Sequence, residues 1–289
     1  MTTHRARGRV KLSIPRFRIA KDSAIADREP LPKDIDPTAP NDARMYDYAL
    51  GGKDNYSADR HVSEQIRAAL PVAINAVREN RKFMRRAVRY MLSLGIRQFL
   101  DLGCGLPGRG NVHEIVHGAD PEATVVYVDK DPVPVTHFQA LLSSSRTATA
   151  VQADIRRPNE ILSGRDVTSL IDFSRPVGVL MVAVLHYVFD EDDPAGIVTA
   201  FSDALSPGSH LAICHFTSEG WGPEDLAFLN GLAESAGVPV ALRDRKQIAA
   251  LLGGLDLIEP GLVLPPHWRP DRPLTDPSGW LLAGMCRKN

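Results

Sequence analysis

One stretch constrains this chain more than any other: residues 97–131, RQFLDLGCGLPGRGNVHEIVHGADPEATVVYVDKD. It opens with a buried-strand pattern, Gln98 to Leu102, that stops at Gly103-Cys104-Gly105. A short helix is predicted from Asn111 to about Ala119, then a turn at Asp120-Pro121. The second apolar strand, Thr124 to Val128, ends in Asp129. This is a β-turn-α-β unit with a carboxylate at each strand tip. Ligands of open α/β sheets sit beyond the carboxyl ends of the strands. Glycines there permit φ > 0 and bring a ligand onto bare backbone, whose amides can hold an anionic group such as a carboxylate. Asp129 is placed to accept hydrogen bonds from two ribose hydroxyls, and Asp101 to take an ammonium group.

Two cofactor classes compete for such a site. Gly103, Gly105 and Gly108 spell the dinucleotide fingerprint GxGxxG, with Asp129 at 21 residues past Gly108, close to where NAD sites keep an acid. Against NAD stands Asp101, a negative charge close to where a pyrophosphate would lie. S-adenosylmethionine presents an ammonium and a carboxylate instead of two phosphates. Asp101 suits the first and the loop amides the second.

The rest of the chain continues the alternation. Residues 1–21 carry seven Lys/Arg and no acid, and 22–40 are acidic and contain four prolines, so 1–40 reads as a flexible basic arm and linker. Residues 41–62 crowd three tyrosines, several charges and Gly51-Gly52 into a stretch too polar for a core. This segment is expected to cover the site as a lid, with Tyr46, Lys53 and Asn55 turned inward. A helix over 72–92 follows, its apolar stripe backed by Arg78, Arg81, Lys82, Arg85, Arg86 and Arg89. A solvated face is the default reading of those basic residues, with some free to face the site. The lid and helix together span 41–94, and an α/β domain spans 95–289.

Asp131-Pro132 begins a helix to about Leu142, and Thr147 to Ala153 is a third strand, ended by Asp154. Asp154 and the Ile155 backbone are placed beside an adenine amine. Val177 to Val184 is an unbroken apolar run, the pattern of a parallel strand buried on both faces, and it delivers His186 to the sheet rim. Further strands are predicted at His210–Phe216, Leu255–Leu264 and Trp280–Cys286, with helices from Asp193-Pro194 to Leu205, from Pro223 to about Ala236 and from Asp244 to Leu252. A Pro-rich linker, 265–277, carries Trp268-Arg269-Pro270-Asp271.

Composition excludes several classes. A net charge of −1 gives no global case for nucleic acid or an anionic membrane. The longest apolar run, Val177 to Leu185, is far short of the ~20 residues that span a bilayer. No apolar segment follows the N-terminal basic residues, so no secretory signal is read there. Cys104, Cys214 and Cys286 are scattered and odd in number, which argues against a disulfide framework, a zinc site or an iron–sulfur centre. A cytoplasmic protein with no metal is expected.

Beyond this pattern, ARMYDYALGGKDNYSADR (43–60), NRKFMRRAVRYM (80–91), GIRQFLDLGCGLP (95–107), VVYVDKDPV (125–133), RPVGVLMVAVLHYV (175–188) and WRPD (268–271) resemble an actinobacterial family of S-adenosylmethionine-dependent methyltransferases. That family is catalogued as a domain of unknown function. The resemblance covers about residues 36–289 and departs from the family at Cys104 and Pro107-Gly108. It implies a class I methyltransferase fold: a Rossmann-like, mostly parallel seven-stranded sheet with an antiparallel last strand, plus an N-terminal helical lid segment. It further implies Asp101, Gly103 and Gly105 at the methionine part of S-adenosylmethionine, Asp129 and Lys130 at the ribose and adenine edge, and Asp154 and Ile155 at the adenine.

The tip of the fourth strand narrows the chemistry. Methylation of base or glutamine amines usually uses an Asn/Asp-Pro-Pro-aromatic tip, and this chain has VLHYV; no Pro-Cys nucleophile for cytosine C5 is present. Transfer to O, N or C of a small molecule is expected, with His186 as the best-placed base. A cofactor-binding protein of this fold without catalysis, or an NAD oxidoreductase, are the competing readings.

Overall fold

The computed structural model describes residues 35–271 and 277–289. Most of the expected arm, and part of the Pro-rich linker, lie outside the described residues.

The polar N-terminal segment is helical. α1 (Asp42–Ala49) and α2 (Ser57–Ala69) precede the long α3 (Ala73–Ser93). Their polar residues hydrogen-bond one another. The fully buried Asp59 carboxylate accepts from Arg44 Nε at 2.8 Å, Asn41 N at 2.9 Å and Tyr56 N at 2.7 Å. Asp47 accepts from Asp54 N at 2.9 Å and Asn55 Nδ2 at 3.0 Å. A stretch too polar for an apolar core is thus held by buried charge-assisted bonds.

Seven strands form one sheet in the order β3-β2-β1-β4-β5-β7-β6. They are β1 (Gln98–Leu102), β2 (Thr124–Asp129), β3 (Ala148–Gln152), β4 (Gly178–Val182), β5 (His210–Phe216), β6 (Asp256–Leu257) and β7 (Leu281–Arg287). β1 to β5 are parallel, and β7 runs antiparallel to both β5 and β6. The helices are α4 (Val112–His117), α5 (Pro132–Leu141), α6 (Pro158–Ser163), α7 (Arg165–Thr168), α8 (Pro194–Ala204), α9 (Pro223–Ser235) and α10 (Arg245–Ala250). The short α6 and α7 were not anticipated from the sequence.

Apolar layers cover both sheet faces. On one, Phe83, Val88 and Met91 of α3 join Phe138 of α5 against Phe99, Val125 and Leu180. On the other, Ile161, Val167, Phe201 and Ile248 pack with Leu100, Val126 and Val179. Neighbouring residues of β1 therefore serve opposite layers, and its continuous apolar pattern follows from that double burial. Register then sets the functional edge. Leu102 pairs with Val128, and Asp129 pairs with Gln152, so the first three strand tips end side by side.

Two expected strands are shorter than predicted. The 255–264 strand survives as Asp256–Leu257 and an isolated Val263–Ala283 bridge. Pro260 offers no N–H to a ladder, and Gly261 turns at φ 83°. β4 ends at Val182 because Ala183 adopts φ 65°, and Leu185–Tyr187 closes as a 3₁₀ turn.

Part of the basic stripe on α3 is structural. Arg86 donates to the carbonyls of Trp268 at 2.9 Å and Pro265 at 2.6 Å. Trp268 is fully buried, edge-on to Phe83 at 5.2 Å. The Trp-Arg-Pro-Asp motif is thereby clamped to α3.

Candidate functional site

The carboxyl ends of β1, β2 and β4 open into one cavity of about 610 Å³, with further walls from α1, α2, α3 and α9. Its lining changes in kind along the strand order, from the β1–β3 side to the β5 and β7 side. The polar side carries Asp101, Asp129, Lys130 and Asp154 with the Gly103–Gly105 turn. The apolar side carries Phe216, Leu229, Leu232, Val240, Leu242 and Trp280.

The glycine turn is shaped by its neighbours. Gly103 sits at φ 71°, and a Cβ there would come within 2.4 Å of Val184 Cγ2. Gly103 N and Cys104 N donate to Val128 O at 2.8 and 3.2 Å. Gly105 N donates to Asp129 Oδ2 at 2.9 Å. The amides expected to receive an anion are therefore committed inside the fold, and the turn offers bare backbone instead. Asp129 also accepts from Asp131 N at 3.0 Å through Oδ1. Burial raises its pKa, against the pull of these two amides.

Asp101 is 8% exposed, and its carboxylate accepts no hydrogen bond from the described residues. Burial pushes its pKa up to about 7, with Arg81 opposing and Asp129 adding to the rise. A carboxylate buried on a cavity wall without a donor is matched to a cationic ligand group.

The remaining expected residues divide. Lys130, although exposed, and the buried Ile155 line the cavity. Asp154 lines it too, gripped by Arg156 at 2.6 Å, and this hydrogen bond lowers its pKa. Tyr46 lines it with its hydroxyl accepting from Asn80 Nδ2 at 2.9 Å. Lys53 and Asn55 do not line it, against the expectation that they turn inward. Lys53 is exposed, and the Asn55 amide is turned to Asp47 and to Gly52 O at 3.1 Å.

His186 lies on the cavity wall yet is only 1% exposed. Its ring packs 4.3 Å from Phe216 and 4.4 Å from Tyr187, centroid to centroid. Burial first, then His215 and Arg243, hold its pKa well below 6.5. Nδ1 has no partner among the described residues. The turn that carries it is pinned by Arg243, which donates to Leu185 O at 3.2 Å, Val188 O at 2.8 Å and His215 Nε2 at 2.9 Å. A general base needs contact with the proton it removes, and this imidazole is walled in and weakly basic.

Three lining residues, Asp42, Tyr187 and Arg81, were given no site role of their own from the sequence. Asp42 stands one turn from Tyr46 on α1, and burial pushes it up to about 6. Tyr187 follows His186 at the β4 tip. Arg81 had a readable signal. It falls on the stripe of Val77, Met84 and Val88, where a charge breaks the apolar face of α3.

Among the described residues no group of His, Cys, Asp or Glu is arranged to hold a metal ion, and no helix is long and apolar enough to cross a membrane.

A parallel sheet closed by an antiparallel last strand, with acids at its first three tips around one cavity, defines the class I methyltransferase fold. The chain belongs to the S-adenosyl methyltransferase family, whose model matches residues 28–289. It is similar to a candidate methyltransferase of Thermobifida fusca YX, with 38% identity over 87% of this chain and 96% of that one, and a TM-score of 0.82. A DUF574 family protein of Streptomyces avermitilis MA-4680 is 36% identical over 87% of this chain and 98% of that one, with a TM-score of 0.81. No match was found among curated proteins. Family and fold together make this an S-adenosylmethionine-dependent methyltransferase, and the NAD reading falls.

Proposed function

We propose that this methyltransferase acts on a small, largely apolar acceptor, at O, N or C, held on the apolar side of the cavity. The observation that carries this reading is the lining of one cavity, charged where it comes from the tips of β1, β2 and β3, and apolar where Phe216 of β5, Trp280 before β7 and aliphatic side chains supply it. Small-molecule sites combine such apolar walls with a few placed polar groups.

The residues present fit the cofactor. Asp101, buried without a donor, suits its ammonium. Asp129 and Lys130 would hold the ribose and adenine edge, and Asp154 with Ile155 the adenine. Gly103 and Gly105 would contribute close backbone rather than amide donors. Bound there, S-adenosylmethionine supplies an electrophilic methyl group on a sulfonium. The chain's own part is to orient the acceptor and exclude water, and Tyr187 is the polar group at the β4 tip best exposed for this. His186 supports the wall behind it. α1 and α2 act as a lid, with Tyr46 facing the cavity. A cytoplasmic site of action suits three free thiols.

The test is turnover with S-adenosylmethionine across apolar small molecules, peptides and nucleic acids, read as release of S-adenosylhomocysteine. Product only with a macromolecular acceptor would sink the small-molecule reading.

A further inference from the structure

The amino-acid end of S-adenosylmethionine carries an ammonium and a carboxylate. Asp101 accounts for the ammonium. The glycine turn, the usual recourse for the carboxylate, has spent the amides of Gly103, Cys104 and Gly105 on Val128 O and Asp129. The carboxylate therefore needs another donor among the groups lining the cavity.

Among the described residues, five cations line it: Arg67, Arg78, Arg81, Lys130 and Arg156. Arg156 is bound to Asp154 at 2.6 Å and Asp192 at 3.2 Å. Arg67 is paired with Glu64, in contact with solvent. Arg78 is exposed, on the first half of α3. Lys130 is exposed beside the two acids at the β2 tip, Asp129 and Asp131, on the ribose side. Arg81 remains. It is partly buried, and one terminal nitrogen donates to Asn111 Oδ1 at 2.9 Å. That amide is 3% exposed and fixed in turn, accepting from Gly108 N at 2.8 Å and donating to Glu114 Oε1 at 2.9 Å. Arg81 is thus anchored by one corner of its fork. Its other nitrogens have no hydrogen-bond partner among the described residues, and it pairs there with no carboxylate. Its charge is felt at Asp101, Cys104 and Tyr46, all on the cavity wall.

A guanidinium anchored on one side keeps its remaining donors available to a ligand in the cavity. A carboxylate meets them in the geometry that an arginine fork favours. Resting on the cofactor reading above, we propose that Arg81 receives the carboxylate of S-adenosylmethionine. With Asp101 it reads the amino-acid end as a zwitterion, and the glycine turn supplies shape only.

The proposal separates three probes: S-adenosylmethionine, its decarboxylated form, and 5′-methylthioadenosine, which lacks the whole amino-acid end. Calorimetry on wild type should show S-adenosylmethionine bound about tenfold or more tighter than the decarboxylated form, the worth of a charge-assisted contact. In Arg81→Gln that ratio should fall close to one, with 5′-methylthioadenosine bound as in wild type. Arg81→Lys keeps the charge without the fork, and its ratio should lie between the two. Asp101→Asn should weaken both amino-containing probes and spare 5′-methylthioadenosine. The ratio is taken within one protein preparation, so partial unfolding of a variant does not imitate the result. An unchanged ratio in Arg81→Gln overturns the proposal. So does an equal loss for all three probes, which would place Arg81 in the fold or at the nucleoside. Wild type that binds none of the probes would instead overturn the cofactor site itself.

Discussion

Asp101→Asn should make the cofactor-free protein more stable, and only above acid pH. Burial without a donor places the Asp101 carboxyl at about 7 instead of its ordinary 3.8. That gap corresponds to roughly 4 kcal/mol of penalty on the charged form, since each tenfold change in proton affinity is worth about 1.4 kcal/mol. Asparagine keeps the shape and removes the charge, but its amide must also leave water. About half the penalty, roughly 2 kcal/mol, should be recovered. For a chain of this size that is a rise of about 4–8 °C in Tm.

The sign follows from linkage. A carboxyl whose folded pKa is raised costs nothing below its unfolded pKa of 3.8, where both states are protonated. The cost grows as pH rises from about 4 to about 7 and is constant beyond. The amide's cost of leaving water does not vary with pH, so the variant should lie about 2 kcal/mol below wild type near pH 4 and about 2 kcal/mol above it near pH 8. His215, held down to about 4 by burial, titrates with the opposite sense in the same window, costing stability as pH falls below 6.5. It is common to both proteins and cancels in the difference. Calorimetric melts of cofactor-free protein across this range measure it. Equal Tm near pH 8, or a gain that does not vary with pH, would refute the reasoning. The same variant should bind S-adenosylmethionine more weakly, a case of stability exchanged for a working charge.

Three further outcomes are expected. Asp129→Ala should weaken S-adenosylmethionine about tenfold or more by calorimetry, since it removes acceptors for two ribose hydroxyls; wild-type affinity would remove Asp129 from the site. His186→Ala should lower the Tm of cofactor-free protein, because deleting a buried ring costs about 2–4 kcal/mol, while leaving cofactor affinity near wild type. An undisturbed Tm would return His186 to candidacy as a base. Amide exchange over α1 should slow when S-adenosylmethionine binds, and equal exchange with and without it would leave α1 a fixed cap rather than a lid.

What the sequence disclosed, and what it concealed, follows the range of the interactions involved. Acid-tipped parallel strands are local facts: an apolar run, a turn and an aspartate within a few residues, so Asp101, Asp129 and Asp154 reached one cavity as expected. The glycine conformation was local too, but the destination of its amides was not. Val128 O and Asp129 come from the neighbouring strand, and their competition for those donors appears only when the strands pair in register. Residues 41–62 misled for the same reason. Their polarity suggested groups reaching for a ligand, whereas Asp47 and Asp59 use it up internally, leaving Lys53 outside and Asn55 turned away. His186 arrived at the strand tip that its sequence position required. Its burial depends on Phe216 and Arg243, far along the chain, which turn a rim histidine into a wall. Arg81 shows the converse. An arginine on the apolar stripe of a helix has to be explained by something outside that helix, and the anchored, half-open fork in the cavity that Asp101 also lines is what such an explanation looks like in three dimensions.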